Sequence, residues 1–188
     1  AVLDAGENYG KNETLKGEKW MYEYTDANPF KVFHIGHLMS NAVGESLSRI
    51  AVFQGAEVLR GNYQGDIGLH VAKAVWAIRE DKENIPDESV SLEERVIYLG
   101  KRYVFGEESY EANKEDINAV NKALYEKSDE ELNALYAQGR QWSLDYFETI
   151  YAKLGTKFDH YFFESEVGPK GIETVKQFIG SVFEESDG

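Results

Sequence analysis

The chain has 188 residues, 42% hydrophobic and 13% aromatic, a formal net charge of −14 and no cysteine. That length and apolar content can close a real core and exclude a disordered chain, and the missing thiols exclude a disulfide framework or a thiolate metal site. No apolar run approaches the ~20 residues of a membrane span, and the first ten residues, AVLDAGENYG, have neither the basic flank nor the apolar stretch of a signal peptide, so a soluble, cytoplasmic protein with no membrane partner is expected.

Overall acidity argues against a broad nucleic-acid surface, because phosphate contacts are made mainly by Lys and Arg. The charge is uneven, however. Residues 1–80 hold eight basic against ten acidic side chains, and residues 81–188 hold twelve against 24. A local phosphate site in the first half is electrostatically permitted.

In chain order, KWMYEYT (19–25) is short and aromatic-rich and predicts a strand entering a loop at Asp26, Asn28 and Pro29. From Leu38, apolar residues at 38, 42, 43, 47, 50 and 51 recur at helical spacing until Gly55. EVLRGNY (57–63) predicts a second strand and residues 68–80 a second helix. This strand–helix alternation is a βαβ pattern and implies a parallel sheet. Residues 91–153 are long, charged and helical in pattern, with a capping box expected at Ser128 and Glu131. KFDHYFFE (157–164) predicts a third strand and 171–183 a last helix. The expected organisation is thus a sheet-forming segment over 1–90, a helical insertion over 91–153 and a return to the sheet over 154–188.

The tetrapeptide His34-Ile35-Gly36-His37 stands where the first strand's loop meets a helix. In such folds the helix N-terminus at the carboxyl edge of the sheet binds phosphate. Imidazole N–H groups can follow the charge that develops at a phosphorus under attack, and a glycine between them lets a planar base lie against the backbone. Three other readings compete: a solvated pair, packed core histidines, or a His-x-x-His metal site for which Asp26 and Glu45 are the nearby carboxylates, without a recognised ligand spacing.

His-Ile-Gly-His after a first strand resembles the signature of the class I aminoacyl-tRNA synthetases. Its flanks, EYTDANPFKVFHIGHL (23–38), GAEVLRGNYQGDIGLHVAK (55–73) and GRQWSLDYFETIYAKLGTKFDHYFFES (139–165), resemble the arginyl-tRNA synthetase family over essentially the whole chain. Many members have Ser-Pro-Asn where this chain has Asp26-Ala27-Asn28-Pro29, which displaces the proline and leaves Asn28 in register.

The resemblance implies an α/β fold, a Rossmann-like, parallel-sheet nucleotide-binding half domain carrying a helical insertion. It implies His34 and His37 as catalytic residues, His34, Gly36 and His37 as the ATP site, and Glu23, Asn28, Tyr63 and Asp66 as amino-acid-binding residues, with His70 a further candidate and no protein-bound metal. It also implies ATP with Mg²⁺ as cofactors and L-arginine and tRNA(Arg) as partners. The family's second signature, Lys-Met-Ser-Lys-Ser, does not occur here, so the N-terminal part of a catalytic domain is expected, with self-association through an exposed sheet edge. A non-catalytic module and a small-molecule nucleotidyltransferase are the rival functions.

Overall fold

The computed structural model describes residues 2–186. Three strands, β1 (Lys19–Glu23), β2 (Glu57–Gln64) and β3 (His160–Phe163), form one sheet in the order β1-β2-β3. β1 and β2 are parallel, with Lys19 opposite Glu57 and Glu23 opposite Gly61, as the βαβ pattern requires. β1 ends two residues earlier than its composition suggests. Thr25 and Asp26 have φ of +79° and +51°, a left-handed conformation that no strand residue adopts.

Contacts divide the chain into two compact units. The first comprises Phe33–Tyr63, Thr149–Tyr161 and the segment up to Ala27. In it, α2 (Ile35–Phe53) follows the short N-terminal helix α1 (Val2–Ala5) and lies on Tyr24. Gly44 permits that approach, because a Cβ there would stand 2.2 Å from Tyr24 Cγ.

Beside it Glu45 is buried and accepts hydrogen bonds from Tyr24 Oη (2.5 Å), Arg49 Nε (2.7 Å) and Arg60 Nε (3.2 Å). Burial alone would raise the Glu45 pKa, but the Tyr24 and Arg49 hydrogen bonds and the Arg60 charge outweigh it and hold it below 4.5. A depressed carboxylate contributes stability that is complete above its unfolded pKa and lost as pH falls through the folded one. Glu45→Gln should therefore lower Tm at pH 7 and flatten the fall of Tm with acid below about pH 4.5, measured by circular dichroism. An unchanged acid slope would remove Glu45 as its source.

The second unit comprises Asn28–Val32, Gln64–Glu148 and the segment from Phe162 onward. α3 (Leu69–Glu80) is buried along eight consecutive residues, Val71 to Ile78, because its alanines let neighbours approach on every side. It packs on α4 (Leu92–Ser109) and α5 (Lys114–Glu126), and Gly106 of α4 meets it so closely that a Cβ would stand 2.2 Å from the Lys73 carbonyl oxygen. Together with Leu132 and Trp142 of α6 (Glu130–Leu154) they close a core around Phe30. Phe30 has φ of +68°, donates its backbone N–H to Ser143 Oγ (2.9 Å) and fills the space left by Gly139. The segment carrying Asn28 is thereby clamped to α6.

Two caps differ from expectation. α6 starts at Glu130, and its cap is Asp129, whose Oδ1 accepts from Leu132 N–H (2.9 Å), so the box expected at Ser128 and Glu131 is one residue out of register. A reciprocal Ser–Glu capping box lies instead at Ser91 and Glu94, at the start of α4. The last helix, α7 (Glu164–Gln177), begins directly after β3 rather than at 171.

Candidate functional site

α2 opens on an unusual cap. The His34 backbone is extended, and its Nδ1 accepts a hydrogen bond from Gly36 N–H (3.0 Å), while His37 Nδ1 accepts from His34 N–H (3.3 Å). The two rings stack with centroids 3.8 Å apart. Asn, Asp, Ser or Thr usually fills the first position and Glu or Gln the last. Here both acceptors are imidazole nitrogens. Gly36 makes room for this arrangement, since a Cβ would stand 2.9 Å from Cε1 of the exposed His34 ring, which would have to shift. His34 is exposed and His37 half-buried, at the positive end of a 19-residue helix.

In the same unit, Glu23 ends β1 and is exposed. Asp26 Oδ1 accepts from Tyr63 N–H (3.0 Å), which ties the loop to β2. Thr25 is held through backbone and side chain, its N–H donating to Ser40 Oγ (3.0 Å) and its Oγ1 accepting from Asn41 Nδ2 (2.9 Å). Left-handed residues of this kind cost ~1–3 kcal/mol each and persist where surrounding contacts over-determine them. Burial pushes the Asp26 carboxyl above its usual range, the Tyr63 N–H pulls it partly back, and the Glu23 charge adds to the rise. The ionised form of Asp26 thus costs stability, and a bound cation would relieve that cost.

In the second unit, Asn28 Oδ1 accepts from Gly65 N–H (2.8 Å). A Cβ on Gly65 would stand 3.0 Å from that oxygen and 3.2 Å from Glu164 Oε2, so two oxygens converge on the bare Cα. His70 is half-buried, with Nε2 3.0 Å from the Gly65 carbonyl oxygen. Asp66 is fully buried. Its Oδ2 accepts from Arg140 Nε (2.8 Å), Tyr136 Oη (3.1 Å) and Ser165 Oγ (2.8 Å), and its Oδ1 from Ser165 N–H (2.8 Å). Ser165 is the second residue of α7, so Asp66 caps that helix from a distance. Arg140 also lies over the Phe163 ring, 4.0 Å from its centroid.

Residues 1–181 match the family model described as class I tRNA synthetases (R), catalytic domain. The chain belongs to that family. It is 33% identical to an arginine–tRNA ligase of Treponema denticola over the whole of this chain and 32% of that protein, and 34% identical to one of Treponema pallidum over 94% of this chain and 30% of that protein. It spans about a third of the length of these curated relatives. Among solved structures, Thermus thermophilus arginyl-tRNA synthetase superposes with a TM-score of 0.69 at 24% identity, over 92% of this chain and 29% of that one. Plasmodium falciparum arginyl-tRNA synthetase gives 0.64 at 21%, over 99% and 30%. At such identities these two speak for the fold, the Rossmann-like α/β architecture expected from the sequence.

Two further carboxylates stand out, one in each unit: Asp26, bonded to the Tyr63 N–H, and Glu164, whose Oε2 lies near Gly65. From the sequence Asp26 is expected as a loop residue and as a carboxylate near a candidate metal site, and Glu164 as the end of a strand. A usable signal was present: Glu23 ends β1 and Glu164 directly follows β3, and acidic residues at strand ends are placed near the loops where α/β folds bind ligands.

Proposed function

We propose that this chain carries the ATP- and arginine-binding part of an arginine–tRNA ligase. The histidine cap supports this reading most directly: it presents two fixed imidazoles at a helix N-terminus, with a glycine between them. Arginine and ATP react when the arginine carboxylate attacks the α-phosphorus, forming arginyl-adenylate and releasing pyrophosphate. No covalent enzyme intermediate is needed, so alignment of the two substrates and donors to the phosphate charge supply the rate.

His34 and His37 serve as those donors. Gly36 leaves room for the nucleotide. Glu23 with Asp26 in the first unit offers carboxylates of the kind a guanidinium favours, and Asn28 with Glu164 in the second offers oxygens of the kind an ammonium group favours; each pair is a candidate for binding arginine. Tyr63 borders the amino acid, held by its backbone bond to Asp26. Asp66, its oxygens already engaged by four donors, acts on the substrate by fixing the first turn of α7 and with it Glu164.

Mg²⁺ accompanies ATP and neutralises its phosphates; among the described residues no three His, Asp or Glu side chains gather as a metal-ligand group. We extend the proposal to tRNA(Arg) as acceptor, to residues 91–153 as an insertion in the sheet domain, and to a cytoplasmic location. Among the described residues no helix is long and apolar enough to cross a membrane. Pairing of exposed sheet edges between copies would appear as concentration-dependent mass in light scattering.

Arginine-dependent ATP–pyrophosphate exchange by the full-length protein, with and without tRNA, tests the reading. Glu23→Gln and Glu164→Gln should each raise KM for arginine ~10–100-fold, the equivalent of one charged hydrogen bond, with a smaller change in kcat. Unchanged KM in both would sink the arginine assignment. Exchange independent of arginine would favour the small-molecule transferase.

A further inference from the structure

The cap of α2 does more than terminate a helix. A neutral imidazole has one N–H donor and one bare acceptor nitrogen, and which nitrogen is bare follows from what the ring is bonded to. Two backbone N–H groups decide it here. Gly36 N–H points at His34 Nδ1 and His34 N–H points at His37 Nδ1. A backbone amide can only donate, so each Nδ1 must be the bare nitrogen. Each proton then sits on Nε2.

We infer that His34 and His37 are locked as neutral Nε2–H tautomers by the backbone of their own helix start, before any substrate binds. The site consequently presents hydrogen-bond donors and no proton acceptor at these two nitrogens. His34 and His37 stabilise phosphate charge, and neither removes a proton during the reaction. Gly36 becomes a positioning residue with two roles: its N–H holds the His34 tautomer, and its lack of a side chain lets the ring come close enough to be held. A solvated pair would sample both tautomers, and a metal-binding pair through Nδ1 would have to break the cap.

The ring stacking fits the same scheme. With centroids 3.8 Å apart and planes 21° from parallel, two neutral rings lie in contact, whereas two charged rings at that distance would repel. The role in binding phosphate rests on the proposed function, but the tautomer lock does not, and the two can be tested apart.

The measurement is long-range ¹H–¹⁵N correlation of the ring nitrogens in ¹⁵N-histidine-labelled protein at neutral pH, which reports directly which nitrogen carries the hydrogen. The signals of His34 and His37 in the full-length protein are assigned with His34→Asn and His37→Gln, each of which retains a capping acceptor. Both should show a bare Nδ1 and a protonated Nε2. An Nδ1–H form, or averaging between tautomers, at either ring would overturn the inference.

Gly36→Ala supplies a second readout. Its methyl drives the His34 ring off the Gly36 N–H, so His34 should become a tautomer mixture while His37 keeps its Nε2–H form. A merely structural glycine would leave both signatures unmoved, and that result would also count against the lock. Titration with ATP separates the two ideas: Nε2–H rings whose signals ignore ATP uphold the lock and defeat the nucleotide reading.

Discussion

Replacing Asp66 by Ala should cost about 3–5 kcal/mol of folding stability, the scale seen when one partner of a buried ion pair is removed. The carboxylate is fully buried and takes donors from α6 and from the first turn of α7. Truncation leaves the Arg140 guanidinium, one-fifth exposed, without its closest carboxylate, since Glu166 stands 3.9 Å from it and is itself largely solvated. It also strips the Ser165 N–H of its acceptor. Urea unfolding of Asp66→Ala should therefore show a lowered midpoint with little change in m-value. Asp66→Asn preserves shape and one acceptor oxygen and should lose less. A loss below about 1 kcal/mol for Asp66→Ala would show that this network contributes only as a surface pair would.

His37→Ala in the full-length protein should slow adenylate formation by ~10²–10³-fold with little change in arginine KM. A donor aimed at developing charge acts mainly in the transition state. The substitution also removes the acceptor for His34 N–H, and loss of a cap costs ~0.5–2 kcal/mol by itself. His37→Gln separates the effects, because a glutamine at this position of a capping box can accept from the cap N–H. His37→Gln should restore the thermal stability lost in His37→Ala, and only a donor at the right place would also restore rate. Pyrophosphate exchange and Tm measured on the same preparations decide between them. Slowing of less than tenfold in His37→Ala would remove the imidazole from the phosphate chemistry.

The sequence was sufficient where chemistry is local in the chain. Helical spacing from Leu38 to Ala51, the aromatic strand before Asp26 and the glycine between two histidines are each contained within a single helix, strand or helix start. The pairing of β1 with β2 followed because a strand–helix–strand unit of this length has few alternatives to a parallel crossover. Helix starts were less legible. Ser128 and Asp129 both suit an N-cap, and packing of Leu132 into the core, rather than side-chain preference, chose Asp129.

Tertiary structure decided what each polar side chain is for. By sequence Asp66 and Asn28 look alike, as polar residues in loops near strand ends. Folding buries Asp66 against an arginine 74 residues away, while Asn28 Oδ1 is left beside Glu164 Oε2 at Gly65. The same contrast separates the carboxylates: the donors around Glu45 outweigh its burial and lower its pKa, whereas at Asp26 burial, with the Glu23 charge, outweighs the single Tyr63 N–H and raises it. The His-Ile-Gly-His motif and its flanking blocks carried the family resemblance, and local periodicity gave the helix and strand order, because periodicity is encoded within single elements. Burial, partner and protonation come from residues far apart in the chain, and only the packed structure brings those residues within hydrogen-bonding distance.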